Sequence, residues 1–170
     1  GQAVSYQSLG LLGYLLLNTN NLKEMIEKFN YYQKLISGYF KFQFFDDGVY
    51  YKLAIYINEN PMIPVPSFHA QVHLSSIVSI LTQILGQKVI PEFTYFTQEI
   101  DENIAEYQKI FGENIFFSKD ENAVFFKIDK LNIPVKNSNS SMLNFFENEA
   151  KKILDELEIQ TWYAKVEKEI

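Results

Sequence analysis

Residues 39–57 constrain this chain more than any other stretch, because two runs that alternate large apolar with other side chains flank Asp46-Asp47-Gly48. That is the pattern of a β-hairpin closed by a tight turn. A two-residue turn at Asp47-Gly48 predicts Phe44 opposite Tyr51, Phe42 opposite Leu53 and Phe40 opposite Ile55. Lys41 then faces Ala54 and Gln43 faces Lys52, so one side of the hairpin is almost wholly apolar. A slip by one residue would send the apolar set to the wrong face. We therefore expect an antiparallel sheet with one face that needs covering.

Helical patterns supply the cover. Residues 8–17 form an apolar stretch with Gly10, Gly13 and Tyr14, too short to span a bilayer and predicted as a buried helix. After Asn18-Thr19-Asn20-Asn21, side chains suited to capping, Leu22, Met25, Ile26, Phe29, Tyr32 and Ile36 fall on one helical face that ends near Gly38. The prolines within residues 60–66 exclude regular helix there. A helix follows over residues 68–85, with Leu74, Ile77, Val78, Leu81, Ile84 and Leu85 on one side and Gly86 at its end. Residues 89–97 read as a strand, 102–111 as a short helix closed by Gly112, and 114–128 as a second hairpin turning at Lys119-Asp120-Glu121. From about Met142 a long helix runs toward the end. The fold class is α+β: a mostly antiparallel sheet from two hairpins and a further strand, packed with helices, with a long C-terminal helix.

Composition decides which chemistries remain. With 170 residues, 47% of them hydrophobic, the chain can bury roughly two-thirds of its unfolded surface and needs no disulfide or metal staple. Cysteine is absent, which removes disulfides, thiolate metal sites, iron–sulfur clusters and cysteine nucleophiles, and is compatible with a cytoplasmic location. All fifteen basic residues are lysine and the net charge is -6, so direct contact with nucleic acid is disfavoured. No apolar run approaches the roughly 20 residues of a membrane span, and no membrane partner is expected. Neither a G-x-S-x-G elbow nor a glycine-rich phosphate loop occurs. The paired acids Asp46-Asp47 and Asp101-Glu102 fall at predicted turns or caps, where backbone N–H groups hold carboxylates. We expect no enzyme, no catalytic residue and no cofactor.

His69 and His73 stand four apart on a predicted helix, the spacing at which two imidazoles can share a metal ion. No third ligand accompanies them. The expectation is therefore no metal and two partly buried histidines bordering a pocket, with a metal- or haem-binding sensor as the less favoured reading. Eleven Tyr and fifteen Phe supply apolar walls with occasional hydroxyl donors, the lining of a small-molecule pocket or simply of a core. A pocket would lie between the helix over 68–85 and the sheet, within reach of Phe42, Leu53, Phe93 and Tyr95. On the last helix, Leu143, Phe146, Ala150, Ile153 and Leu157 form a seven-residue stripe that can lie on its own domain or pair with the same helix of a second copy. Ile159, Trp162, Val166 and Ile170 take up a shifted stripe. The amphipathic pattern is still running at Ile170, from which we expect another domain to follow.

Several local motifs share one resemblance. Leu9-Gly10-Leu11-Leu12-Gly13-Tyr14, then Asn20-Asn21-Leu22-Lys23-Glu24-Met25 and Tyr31-Tyr32, then Glu106-Tyr107-Gln108-Lys109-Ile110-Phe111-Gly112, Asn122-Ala123-Val124-Phe125-Phe126 and Leu131-Asn132-Ile133-Pro134-Val135 stand in the order and spacing of one family. Together they resemble the arabinose-binding-like N-terminal domain of AraC/XylS-type transcription regulators, over residues 8–157. Lysine stands where that family usually has arginine, and the helix with His69 and His73 matches no family motif. The resemblance implies a bacterial, cytoplasmic effector-sensing and dimerisation domain over residues 1–158 and a connecting helix over 159–170. It also implies a helix-turn-helix DNA-binding domain beyond. The implied partners are a small-molecule effector of unknown identity, a second copy of the chain, and DNA only through the further domain. The alternative is a constitutive dimerisation scaffold without a ligand.

Overall fold

In the computed structural model, which describes residues 4–36, 40–57, 69–100 and 104–169, the hairpin forms with a register different from the predicted one. β1 (Phe40–Asp46) pairs antiparallel with β2 (Tyr50–Ile57), placing Phe42 opposite Ile55, Phe44 opposite Leu53 and Gln43 opposite Ala54. Asp47 is the reason. Its carboxylate accepts from the N–H groups of Val49 and Tyr50 at 2.9 and 2.6 Å, and its own N–H donates to the Tyr50 carbonyl at 3.2 Å. The reversal therefore falls at Gly48-Val49, and Gly48 carries the positive φ of +87° that it needs. Because the shift is by two residues, Phe42, Phe44, Leu53 and Ile55 still share one face.

Among the described residues the sheet has five strands in the order β1-β2-β5-β3-β4. β5 (Asn122–Lys127) lies antiparallel between β2 and β3 (Phe93–Tyr95), and β4 (Ile115–Phe116) pairs parallel with β3. Two expectations are corrected here. Residues 114–128 form no second hairpin, since both edges of β5 are already taken by β2 and β3. The strand predicted over 89–97 is confined to Phe93–Tyr95. Pro91 has no N–H for a ladder, the N–H of Val89 goes to Thr82 Oγ1 at 3.1 Å, and that of Thr97 goes to Asn122 Oδ1 at 3.1 Å.

Helices cover one face of the sheet. A short 3-10 helix (Tyr6–Leu9) leads through Gly10, at φ +57°, into α1 (Leu11–Leu17). Asn18 and Thr19 close α1 by donating to the carbonyls of Tyr14 and Leu16, both at 2.8 Å. α2 (Leu22–Tyr32) starts with a reciprocal cap: Asn21 Oδ1 accepts from the Glu24 N–H at 2.9 Å, and Glu24 Oε2 accepts from the Asn20 N–H at 2.7 Å. Leu22, Met25, Ile26, Phe29 and Tyr32 are its buried face. The Leu131–Val135 segment is stitched to the start of α2, with the Leu22 N–H donating to Ile133 and the Val135 N–H to Asn20, both at 3.0 Å. α3 (His69–Leu85) packs on β2 and β5, while α4 (Ile104–Phe111) closes the far end with Phe111 against Phe96. α5 (Ser140–Glu169) is a single helix of 30 residues lying outside α1. The predicted ending of the second helix at Gly38, the proline segment 60–66 and Phe68 lie outside the described residues.

Candidate functional site

Alternation in the strands sorts the aromatics into two groups. Phe42, Leu53, Val124 and Phe126 point toward the helices and join the main core. Phe93 and Tyr95 point the other way, where Phe93 stacks on Phe125 at 4.3 Å between ring centres and Tyr95 lies 4.8 Å from the same ring. The intervening Thr94 takes the inward position. Phe93 and Tyr95 therefore do not border the space between α3 and the sheet, and their expected place in a pocket is corrected by the period of two.

On the helix side a cavity of about 340 Å³ lies between α2, α3 and the inner faces of β1, β2 and β5. Its floor is buried: Leu16, Met25, Leu53 and Phe126. Phe29, Phe42 and Phe44 form an aromatic wall, with Phe29 and Phe42 edge to face at 5.2 Å. The opposite wall is α3, through Ile77, Ile80 and Leu81. Val4, Ile36 and Val72 also line it and are 37%, 41% and 49% exposed, which places the open side of the cavity between them.

Two polar side chains stand in the described lining, His73 and Ser76. Ser76 donates its hydroxyl to the Val72 carbonyl at 2.7 Å, one turn back on the same helix. His73 has no such engagement: among the described residues neither ring nitrogen has a hydrogen-bond partner. Its ring packs 3.9 Å from Phe40 and 6.2 Å from His69. Burial, reinforced by the neighbouring His69, pushes the His73 pKa below the ordinary histidine value and keeps the imidazole neutral near pH 7. His69 stacks on Phe40 at 6.1 Å and stands beside the cavity lining rather than in it. No group of three or more His, Cys, Asp or Glu able to hold a metal occurs among the described residues.

Of the six residues predicted for a pocket, Phe42, Leu53 and His73 line the cavity. Sequence reasoning missed the contribution of α2 through Met25, Ile26 and Phe29, because a lining side chain and a core side chain give the same amphipathic signal.

The α5 stripe divides. Leu143 and Ala150 are buried against the domain, joined by Leu154, and Phe146 stacks on Tyr14 at 5.8 Å. Ile153 and Leu157 are 41% and 38% exposed. Between Leu143 and Ala150, Glu147 fixes the helix to α2, accepting from Lys28 Nζ at 2.6 Å and from the Tyr32 hydroxyl at 3.2 Å. Burial opposes ionisation of Glu147, but the Lys28 and Tyr32 hydrogen bonds prevail and hold its pKa below the ordinary carboxylate value. The Tyr32 phenol is pushed up, first by burial and then by the Glu147 charge. No described helix is long and apolar enough to cross a membrane.

The family model for the arabinose-binding domain of AraC transcription regulators, N-terminal, matches residues 1–135. No curated protein matches the chain by sequence. The crystal structure of the transcriptional regulator CdpR from Pseudomonas aeruginosa is similar in fold, with a TM-score of 0.65 at 14% identity over 81% of this chain. The chain spans 45% of that regulator's length. With the family model covering residues 1–135 of 170, the chain belongs to the family of N-terminal arabinose-binding domains of AraC transcription regulators.

Proposed function

We propose that this chain is the effector-sensing and dimerisation part of an AraC-type transcription regulator of a bacterial cytoplasm, acting without catalysis or cofactor. The cavity beside α2 and α3 carries the reading. Its volume and apolar walls are those of a small-molecule site. The α1–α2 layer is placed to transmit occupancy, since Leu16, Met25 and Phe29 touch the cavity from one side of it. Tyr14, Lys28 and Tyr32 touch α5 from the other. A ligand acts through this layer only by binding two arrangements of it unequally.

In this reading Ile153 and Leu157 meet the same residues of a second copy, while Leu143, Phe146 and Ala150 hold α5 to its own domain. Residues 1–158 form the sensing unit, and 159–170 the connection toward a DNA-binding domain in the full protein, with α5 running through it as far as Glu169. Two such domains held at a set separation read paired half-sites.

Sedimentation and a thermal-shift screen of small metabolites test the proposal together. The wild-type chain is expected to be a dimer. Leu157→Glu is expected to be a folded monomer, because the position is exposed in the single chain. A ligand at a hundred times its Kd should raise stability by about 2.7 kcal/mol. A dimer that no metabolite stabilises supports the constitutive scaffold instead, and a monomer at every concentration removes the dimerisation half.

A further inference from the structure

We infer that the cavity takes a neutral, largely hydrocarbon molecule of roughly 13 non-hydrogen atoms that carries one hydrogen-bonding group directed at His73, and that it is not a sugar site. The inference rests on the ligand-binding reading above and specifies the chemistry of that same cavity. Size comes first. A cavity of roughly 150 Å³ holds benzene, about 25 Å³ for each carbon, so about 340 Å³ holds roughly 13 atoms.

The lining then selects polarity. A pentose presents a hydroxyl on nearly every carbon, whereas the described lining offers one uncommitted polar side chain, His73, because Ser76 is already bonded to Val72. Each hydroxyl buried without a partner lowers affinity by roughly tenfold, and several together abolish binding. Charge is disfavoured on separate grounds. No lysine, aspartate or glutamate stands in the described lining, and the exposed members at its open side, Val4, Ile36 and Val72, are aliphatic. Among the described lining residues a carboxylate meets neither a cation nor a cluster of donors. A neutral imidazole can donate to a carbonyl or accept from a hydroxyl, so one alcohol, ketone or amide group is the complement it offers.

The test compares three probes on the purified chain at pH 7.5 by calorimetry and thermal shift: 1-decanol, decanoate and arabinose. 1-Decanol is expected to bind and raise the melting temperature, decanoate to bind at least tenfold more weakly, and arabinose to leave it unmoved. His73→Leu should weaken 1-decanol binding about five- to tenfold, and Ile77→Trp, which fills the cavity, should abolish it. Should Ile77→Trp fail to fold, Ile80→Phe provides the same blockade with a smaller added volume. Arabinose stabilising the chain, or decanoate binding as tightly as 1-decanol, overturns this inference while leaving the sensor reading intact. Binding of 1-decanol that survives both cavity-filling variants also overturns it, because the probe then sits elsewhere. Failure of all three probes overturns the inference, and if the metabolite screen is also blank, the sensor reading falls with it.

Discussion

At the scale of single residues, Gly13 shows how close approach decides a position. A Cβ built there would stand 1.8 Å from the Tyr6 carbonyl oxygen, so the 3-10 helix can lie on α1 because this residue has no side chain. Alanine would gain about 1 kcal/mol in helix propensity. The clash with fixed backbone outweighs that gain, and Gly13→Ala is expected to destabilise the chain by about 3 kcal/mol in urea denaturation. The glycine was visible in the sequence, but its reason was not, since the atom it accommodates is backbone of a segment whose fold the sequence did not specify. His73 was more legible. Its spacing from His69 on an otherwise apolar helix singled it out, and it does line the cavity, with one face against Phe40.

At the scale of elements, α5 separates what a heptad count can and cannot find. The residues placed on one stripe included Ile153 and omitted Leu154, yet Leu154 is buried and Ile153 is exposed. A straight helix drifts by about 20° per heptad, enough to exchange neighbours over two repeats. Leu154→Ala is therefore expected to cost about 2–3 kcal/mol, and Ile153→Ala less than about 1 kcal/mol, read from denaturation midpoints of the two variants. The hairpin teaches the same lesson in strands. Alternation identified correctly which of Phe42, Phe44, Leu53 and Ile55 share a face, but a period of two cannot separate registers that differ by two, and the carboxylate of Asp47 made that choice. The position of β4 beside β3 was illegible for another reason: a two-residue strand leaves almost no pattern.

At the scale of the molecule, the α1–α2 layer is clasped from outside by α5, and the clasp is acid-labile. Glu147 has a lower pKa in the fold than in the unfolded chain. Its contribution is therefore complete above the ordinary carboxylate value, near 4.3, and is lost as the pH falls through the lower folded value. Glu92, held down by Lys127, and Asp47, held down by the N–H groups of Tyr50 and Val49, act with the same sign. Glu147→Gln should lower stability at pH 7 by about 1 kcal/mol, a figure kept small by the partial exposure of the pair, and should flatten the fall in melting temperature between pH 5 and pH 3.

Because α5 is unbroken from Ser140 to Glu169, it also works as a lever arm. Among the described residues its last buried side chain is Leu154, beyond which Lys34 Nζ meets Glu158 Oε1 at 3.4 Å on the surface, and fifteen residues of helix, about 22 Å, follow Leu154. A tilt of about 10° at that fulcrum sweeps the distal tip through roughly 4 Å, more than the length of a hydrogen bond. Slight repacking around Leu143 and Ala150 is thereby magnified at the far end of α5.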